Sequence, residues 1–85
     1  MQQFTYTITN PVGIHARPAG LLVKIAQALN SEVTIQVGGK SASARKLLQL
    51  MTMGIGQGDT VTVRIQVGDE ENSRRVMEQF FRENL

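Results

Sequence analysis

The sequence contains no cysteine, which excludes disulfides, thiolate chemistry and cysteine-ligated zinc. That absence fits a reducing compartment. Histidine is almost as scarce, with His15 the only one. A lone imidazole needs carboxylate partners to hold a metal, and Glu32, Asp59 and the Asp69–Glu71 cluster show no ligand spacing around it. No metal and no cofactor are therefore expected. Net charge is small, +2. A weak basic bias suits an acidic partner surface but falls short of a nucleic-acid footprint, and the strands lack clustered aromatics. No apolar run approaches the ~20 residues of a membrane span, so no membrane insertion is expected. The opening MQQFTYTITN alternates polar and apolar residues and does not read as a signal peptide, so a cytoplasmic location is expected.

What is present is a globular balance, 41% hydrophobic and 19% charged over 85 residues, the size of one domain spanning 1–85. Phe4, Tyr6 and Ile8 alternate with threonines, the period of a half-buried strand, and Asn10-Pro11-Val12-Gly13 ends it. From Pro18 the period becomes helical through Ala19, Leu22, Val23, Ala26 and Leu29, with Leu21 and Ile25 widening the apolar stripe. Val33, Ile35 and Val37 alternate again. Gly38-Gly39 signals a hairpin into a return strand over Lys40–Ala44. Leu47, Leu48, Leu50 and Met51 predict a short helix ending at Gly54. A glycine loop then leads to a strand through Val61, Val63, Ile65 and Val67. Asp69 is placed to cap a last helix, whose buried face is Val76, Met77, Phe80 and Phe81. The order β-α-β-β-α-β-α, with one apolar face per strand, predicts an α+β fold. It is an open-faced two-layer sandwich, a four-stranded antiparallel sheet with three helices on one face.

Two glycine patterns fail as nucleotide sites. Gly39-Lys40-Ser41 ends like a P-loop, but Thr34 stands where the leading glycine belongs. The stretch GIGQGD lacks the dinucleotide spacing and enters a strand, not a helix. No serine-base-acid arrangement points to a hydrolytic triad. His15 carries two readings. It is either a solvated turn residue or a phosphate-bearing one. Favouring the second, the following helix start offers free N–H donors and a positive dipole end. Arg17 offers a planar fork, and Gly13, Ala16 and Ala19 leave the ring approachable. A neutral imidazole is a competent nucleophile on phosphorus.

The segments GIHARPAGLLVKIA and GKSASARKLLQLMTMGIGQGDTVTV, over a chain of this length, resemble the HPr family, the histidine-containing phosphocarriers of the bacterial phosphoenolpyruvate:sugar phosphotransferase system. The resemblance covers essentially the whole chain. It implies a carrier, neither a metabolic enzyme nor a passive binder. Enzyme I would load a phosphoryl group onto Nδ1 of His15, and IIA domains or subunits of sugar permeases would receive it. Arg17 would stabilise the phosphate, with the backbone N–H groups of Ala16 and Arg17 completing the cradle. Leu47, Leu48 and Met51, edged by Thr52 and Gly54, would form an apolar docking surface, with Leu50 in the core. Arg17, Lys24, Arg45 and Lys46 would supply positive charge toward an acidic partner. A monomer is expected. The sequence departs from many HPr proteins at Lys46, where they carry a serine that is phosphorylated in Gram-positive catabolite control. That modification is expected to be absent. Lysine also supplies no N-cap side chain and puts a cation at a helix start, at a cost of ~0.5–1 kcal/mol. The competing readings are a regulatory module that has lost relay function, against which His15 and Arg17 stand intact, and a nucleic-acid-binding domain.

Overall fold

Alternation of threonine, serine and glutamine with branched apolar residues gives each strand one wet and one dry face, and pairing register decides whether the dry faces line up. They do. The computed structural model describes residues 1–85 and contains β1 (Gln2–Thr7), α1 (Ala16–Ala28), β2 (Glu32–Val37), β3 (Lys40–Ser43), α2 (Leu47–Thr52), β4 (Thr60–Gln66) and α3 (Glu70–Asn84). The strands form one sheet in the order β1-β4-β2-β3, and every pairing is antiparallel. Phe4 stands opposite Val63, Val63 opposite Ile35, and Ile35 opposite Ala42. One apolar row therefore crosses all the strands. The neighbouring row on the opposite face is Thr5, Thr62, Gln36 and Ser41. A one-residue slip in any pair would exchange these faces, so burial fixes the register.

The three helices cover the apolar face, as the sequence predicts. Leu22, Ala26, Leu50, Met77 and Phe81 are fully buried against Val33, Ile35, Val61, Val63 and Ile65. Phe81 is the hub, meeting Phe4, Tyr6 and Phe80 edge-on at centroid distances of 5.8, 5.6 and 6.2 Å, geometry that aromatic quadrupoles favour. No helix is long and apolar enough to cross a membrane.

Several boundaries differ from the sequence reading. The first helix begins at Ala16, with His15 as its N-cap residue, so Pro18 sits inside the first turn and does not open it. Proline is tolerated there because the first N–H groups of a helix have no intrahelical partner anyway. The return strand stops at Ser43 and the short helix at Thr52. The fourth strand ends at Gln66, and Val67 leaves it with φ +69, well exposed to solvent. Val76 is only half-buried. Leu21 is 45% exposed, so it lies outside the buried stripe of α1.

Candidate functional site

The loop before α1 is held by its own polar groups and by the loop after α2. Asn10 Oδ1 accepts from Val12 N at 2.9 Å and Asn10 Nδ2 donates to Asn84 O at 3.2 Å. Thr9 N and Asn10 N both donate to Leu85 O, at 2.6 and 2.8 Å. Gly13 then passes so close to the other loop that an added Cβ would lie 2.4 Å from Ile55 O and 2.6 Å from Gly56 Cα, at φ +73. Only glycine fits. Ile14 N donates to Ile55 O at 3.0 Å, and the Ile14 side chain is buried. The chain therefore reaches His15 from a fixed platform.

His15 has extended backbone, φ −123 and ψ −176, and its side chain makes no capping hydrogen bond. Its carbonyl accepts from Ala19 N at 2.9 Å, closing the first turn. That leaves the N–H groups of Ala16 and Arg17 without intrahelical partners, and Pro18 has none to leave. The first turn of α1 holds no acidic residue. The contrast with α3 is plain: there Asp69 Oδ1 accepts from Asn72 N at 3.2 Å, and Glu70 and Glu71 occupy the first turn. The positive end of α1 is thus unneutralised, with a half-buried imidazole at its cap and exposed Ala16 and Arg17 beside it. The ion pairs of the molecule join Met1 to Glu70 and Glu78 to both Arg74 and Arg82. Arg17, Lys24 and Lys46 take part in none, so their charges remain available.

The short helix α2 packs on α1. Leu47, Leu48 and Met51 are 39%, 77% and 41% exposed while Leu50 is fully buried. Thr52, the last residue of α2, and Gly54, two residues beyond it, are exposed. Thr52 Oγ1 is used within the helix, donating to Gln49 O at 2.9 Å. The sequence places Leu21 in the buried stripe of α1, yet it lines a shallow depression with Arg17, Gly20, Val23, Lys24 and Gln27. Its signal was available: Arg17, Leu21 and Lys24 recur at helical spacing, placing two cations on one face with an apolar residue between them. Arg45 is the opposite case. It reads as a free docking cation, yet its guanidinium is engaged with the end of α1, donating to Ala26 O, Leu29 O and Ser31 O at 3.3, 2.9 and 3.1 Å. Lys46 is the N-cap residue of α2 and makes no capping bond, as expected for a lysine. No cluster of three or more acidic or histidine side chains could hold a metal.

The fold and the site define a class, an open-faced α+β sandwich that presents a histidine at an unneutralised helix start. A family model described as the phosphorylation site of the PTS HPr component matches residues 2–83, and the chain belongs to that family of phosphocarriers of the sugar phosphotransferase system. Among solved structures, the histidine-containing phosphocarrier protein of Mycoplasma superposes with a TM-score of 0.90 at 30% identity, over 93% of this chain and 90% of that one. HPr of Thermoanaerobacter tengcongensis gives 0.90 at 29%, over 96% and 92%. The catabolite-repression protein Crh of Bacillus subtilis gives 0.77 at 28%, over 100% and 98%, and its structure is a domain-swapped dimer.

Proposed function

We propose that the chain carries a phosphoryl group on Nδ1 of His15, taking it from phospho-Enzyme I and giving it to IIA domains or subunits of sugar permeases. The observation that supports this most is the imidazole at the N-cap of α1, an end with no acidic residue in its first turn and no side-chain cap. In the transfer the Nδ1 lone pair forms the new P–N bond as the donor's bond to phosphorus breaks. Nε2 keeps its proton, so no base is required at that moment. The ring becomes cationic, which weakens the new bond and eases onward transfer. The phosphoryl oxygens meet the N–H groups of Ala16 and Arg17 and the guanidinium of Arg17.

Docking uses Leu47, Leu48, Met51, Thr52 and Gly54 with Leu21 alongside, and Lys24 and Lys46 meet an acidic partner surface. An apolar patch of modest size with a cationic rim suits an encounter that must also dissociate. The carrier works as a cytoplasmic monomer. The ladders of the sheet form within one chain and leave β1 and β3 as its edges. Regulatory phosphorylation at position 46 is absent, because lysine has no hydroxyl.

Incubation with phosphoenolpyruvate, Mg²⁺ and Enzyme I should give an acid-labile, base-stable phosphate that His15→Ala abolishes. Arg17→Ala should slow loading by about 10- to 100-fold, the worth of one charge-assisted donor. Labelling of the His15→Ala variant would refute the site. An HPr kinase with ATP should leave the protein unmodified, and a phosphoserine would refute the reading of Lys46.

A further inference from the structure

The short helix α2 carries the apolar patch, yet little in α2 itself fixes where it lies. It has six residues, no side-chain cap at Lys46, no acidic residue in its first turn, and one buried side chain, Leu50. A helix this short has marginal stability alone. What precedes it is pinned. Ala44 is fully buried and its N–H donates to Val33 O at 2.8 Å, while Arg45 N reaches Ser43 Oγ at 3.2 Å and Lys46 N reaches Ser43 O at 3.1 Å.

From this pinned turn the Arg45 side chain crosses to the C-terminal end of α1. That end has a need of its own. It holds no basic residue in its last turn and its C-cap, Leu29, turns to extended backbone at once. The carbonyls of Ala26, Leu29 and Ser31 receive the guanidinium through Nε and Nη2. A positive group here also complements the negative end of the α1 dipole. Two donor nitrogens of one rigid fork thus bind three acceptors at one helix end.

We propose that Arg45 is a positioning residue for phosphoryl transfer. By joining the root of α2 to the C-terminal end of α1, it fixes one end of the docking patch relative to the helix that His15 caps, as the Ile14–Ile55 contact fixes the other. The proposal rests on the phosphocarrier reading of His15. It assigns Arg45 no contact with phosphate and none with the partner. A lysine could keep the charge but not the fork, since all the donors of an ammonium radiate from one nitrogen and cannot reproduce the separate reach of Nε and Nη2.

The test uses the full chain as Arg45→Ala and Arg45→Lys, loaded by Enzyme I, with hydrogen exchange followed at the α2 amides. In both variants the amides of residues 47–53 should exchange faster while those of β1 and β4 hold. The KM for Enzyme I should rise roughly fivefold, the factor carried by coupling between neighbouring residues. The kcat at saturating donor should stay within about twofold. If Arg45→Ala fails to fold, Arg45→Lys carries the test. Wild-type KM in Arg45→Lys with a raised KM in Arg45→Ala would make the residue a charge contact and overturn the proposal. Unchanged exchange in α2, or faster exchange without a change in KM, would overturn it too. Should the wild type take no label from Enzyme I, the phosphocarrier reading fails, positioning for transfer falls with it, and exchange alone decides whether Arg45 anchors α2.

Discussion

Gly13 and Val67 both hold φ in the left-handed region, at +73 and +69, and only one of them is a residue suited to it. At Gly13 the backbone of Ile55 and Gly56 leaves no space for a Cβ. Gly13→Ala must therefore push apart the two loops that seat His15, and we expect a loss of about 2–4 kcal/mol in denaturant unfolding with slower loading of the histidine. Val67 is β-branched and 60% exposed, so it bears the conformational cost with little burial in return. A left-handed conformation costs an ordinary side chain about 1–2 kcal/mol, and asparagine least among non-glycines. Val67→Asn should raise stability by about 1 kcal/mol, read as a higher denaturant midpoint at unchanged slope. The valine reads as the end of an alternating strand run, because period alone cannot show where the chain turns away from the sheet.

Two contacts at the element scale tie α3 to the rest of the fold, and neither is written in periodicity. Ser31 at the exit of α1 and Ser73 in α3 are both buried, with their hydroxyl oxygens 2.8 Å apart. Each satisfies the other. Ser73→Ala should cost about 1–3 kcal/mol by orphaning Ser31, and the double change Ser31→Ala/Ser73→Ala should recover most of that loss. A double-mutant cycle on unfolding free energies measures it. Glu70, in the first turn of α3, pairs with the Met1 ammonium at 2.8 Å and accepts from Val67 N at 2.9 Å. The ammonium, assisted by the Val67 N–H, holds its carboxyl below the usual range despite some desolvation. Because the folded-state value is the lower one, this contribution is fully present above the unfolded carboxylate range and is lost as pH falls through the lowered value. The stability gap between wild type and Glu70→Gln should accordingly be constant near neutrality and close on acidification below about pH 4. The start of α3 itself is legible, since Asp-Glu-Glu is a capping and dipole signal that needs no tertiary knowledge. The start of α1 is misplaced by the same logic, because proline is equally comfortable anywhere among the first free N–H groups. The buried serine pair is invisible: Ser31 reads only as a helix stop, and nothing local joins it to a residue forty-two positions on.

Across the whole molecule charge is sorted along the chain. Residues 1–58 contain one acid, Glu32, against Arg17, Lys24, Lys40, Arg45 and Lys46, while the other six acids lie between Asp59 and Glu83. Net charge conceals this sorting, and so the sequence total of +2 understates the field at the α1–α2 face. There Arg17, Lys24 and Lys46 have no ion-pair partners, whereas α3 neutralises much of its charge internally through Glu78 with Arg74 and Arg82. Unpaired exposed cations steer an acidic partner from a distance and lose that influence as salt shortens the screening length from about 10 Å at 0.1 M to about 3 Å at 1 M. Association with Enzyme I should therefore slow by roughly an order of magnitude between low and high salt. If the partner docks on Leu47, Leu48 and Met51 as proposed, the dissociation rate should change far less. Lys24→Gln and Lys46→Gln should each flatten the salt dependence of the association rate in stopped-flow measurements, and Lys40→Gln should leave it nearly unchanged because Lys40 stands opposite Val37 at the β2–β3 hairpin turn and lies on neither α1 nor α2. Equal effects at all three lysines would show that net charge alone governs the encounter, and would remove the reason for placing the docking face on α1 and α2.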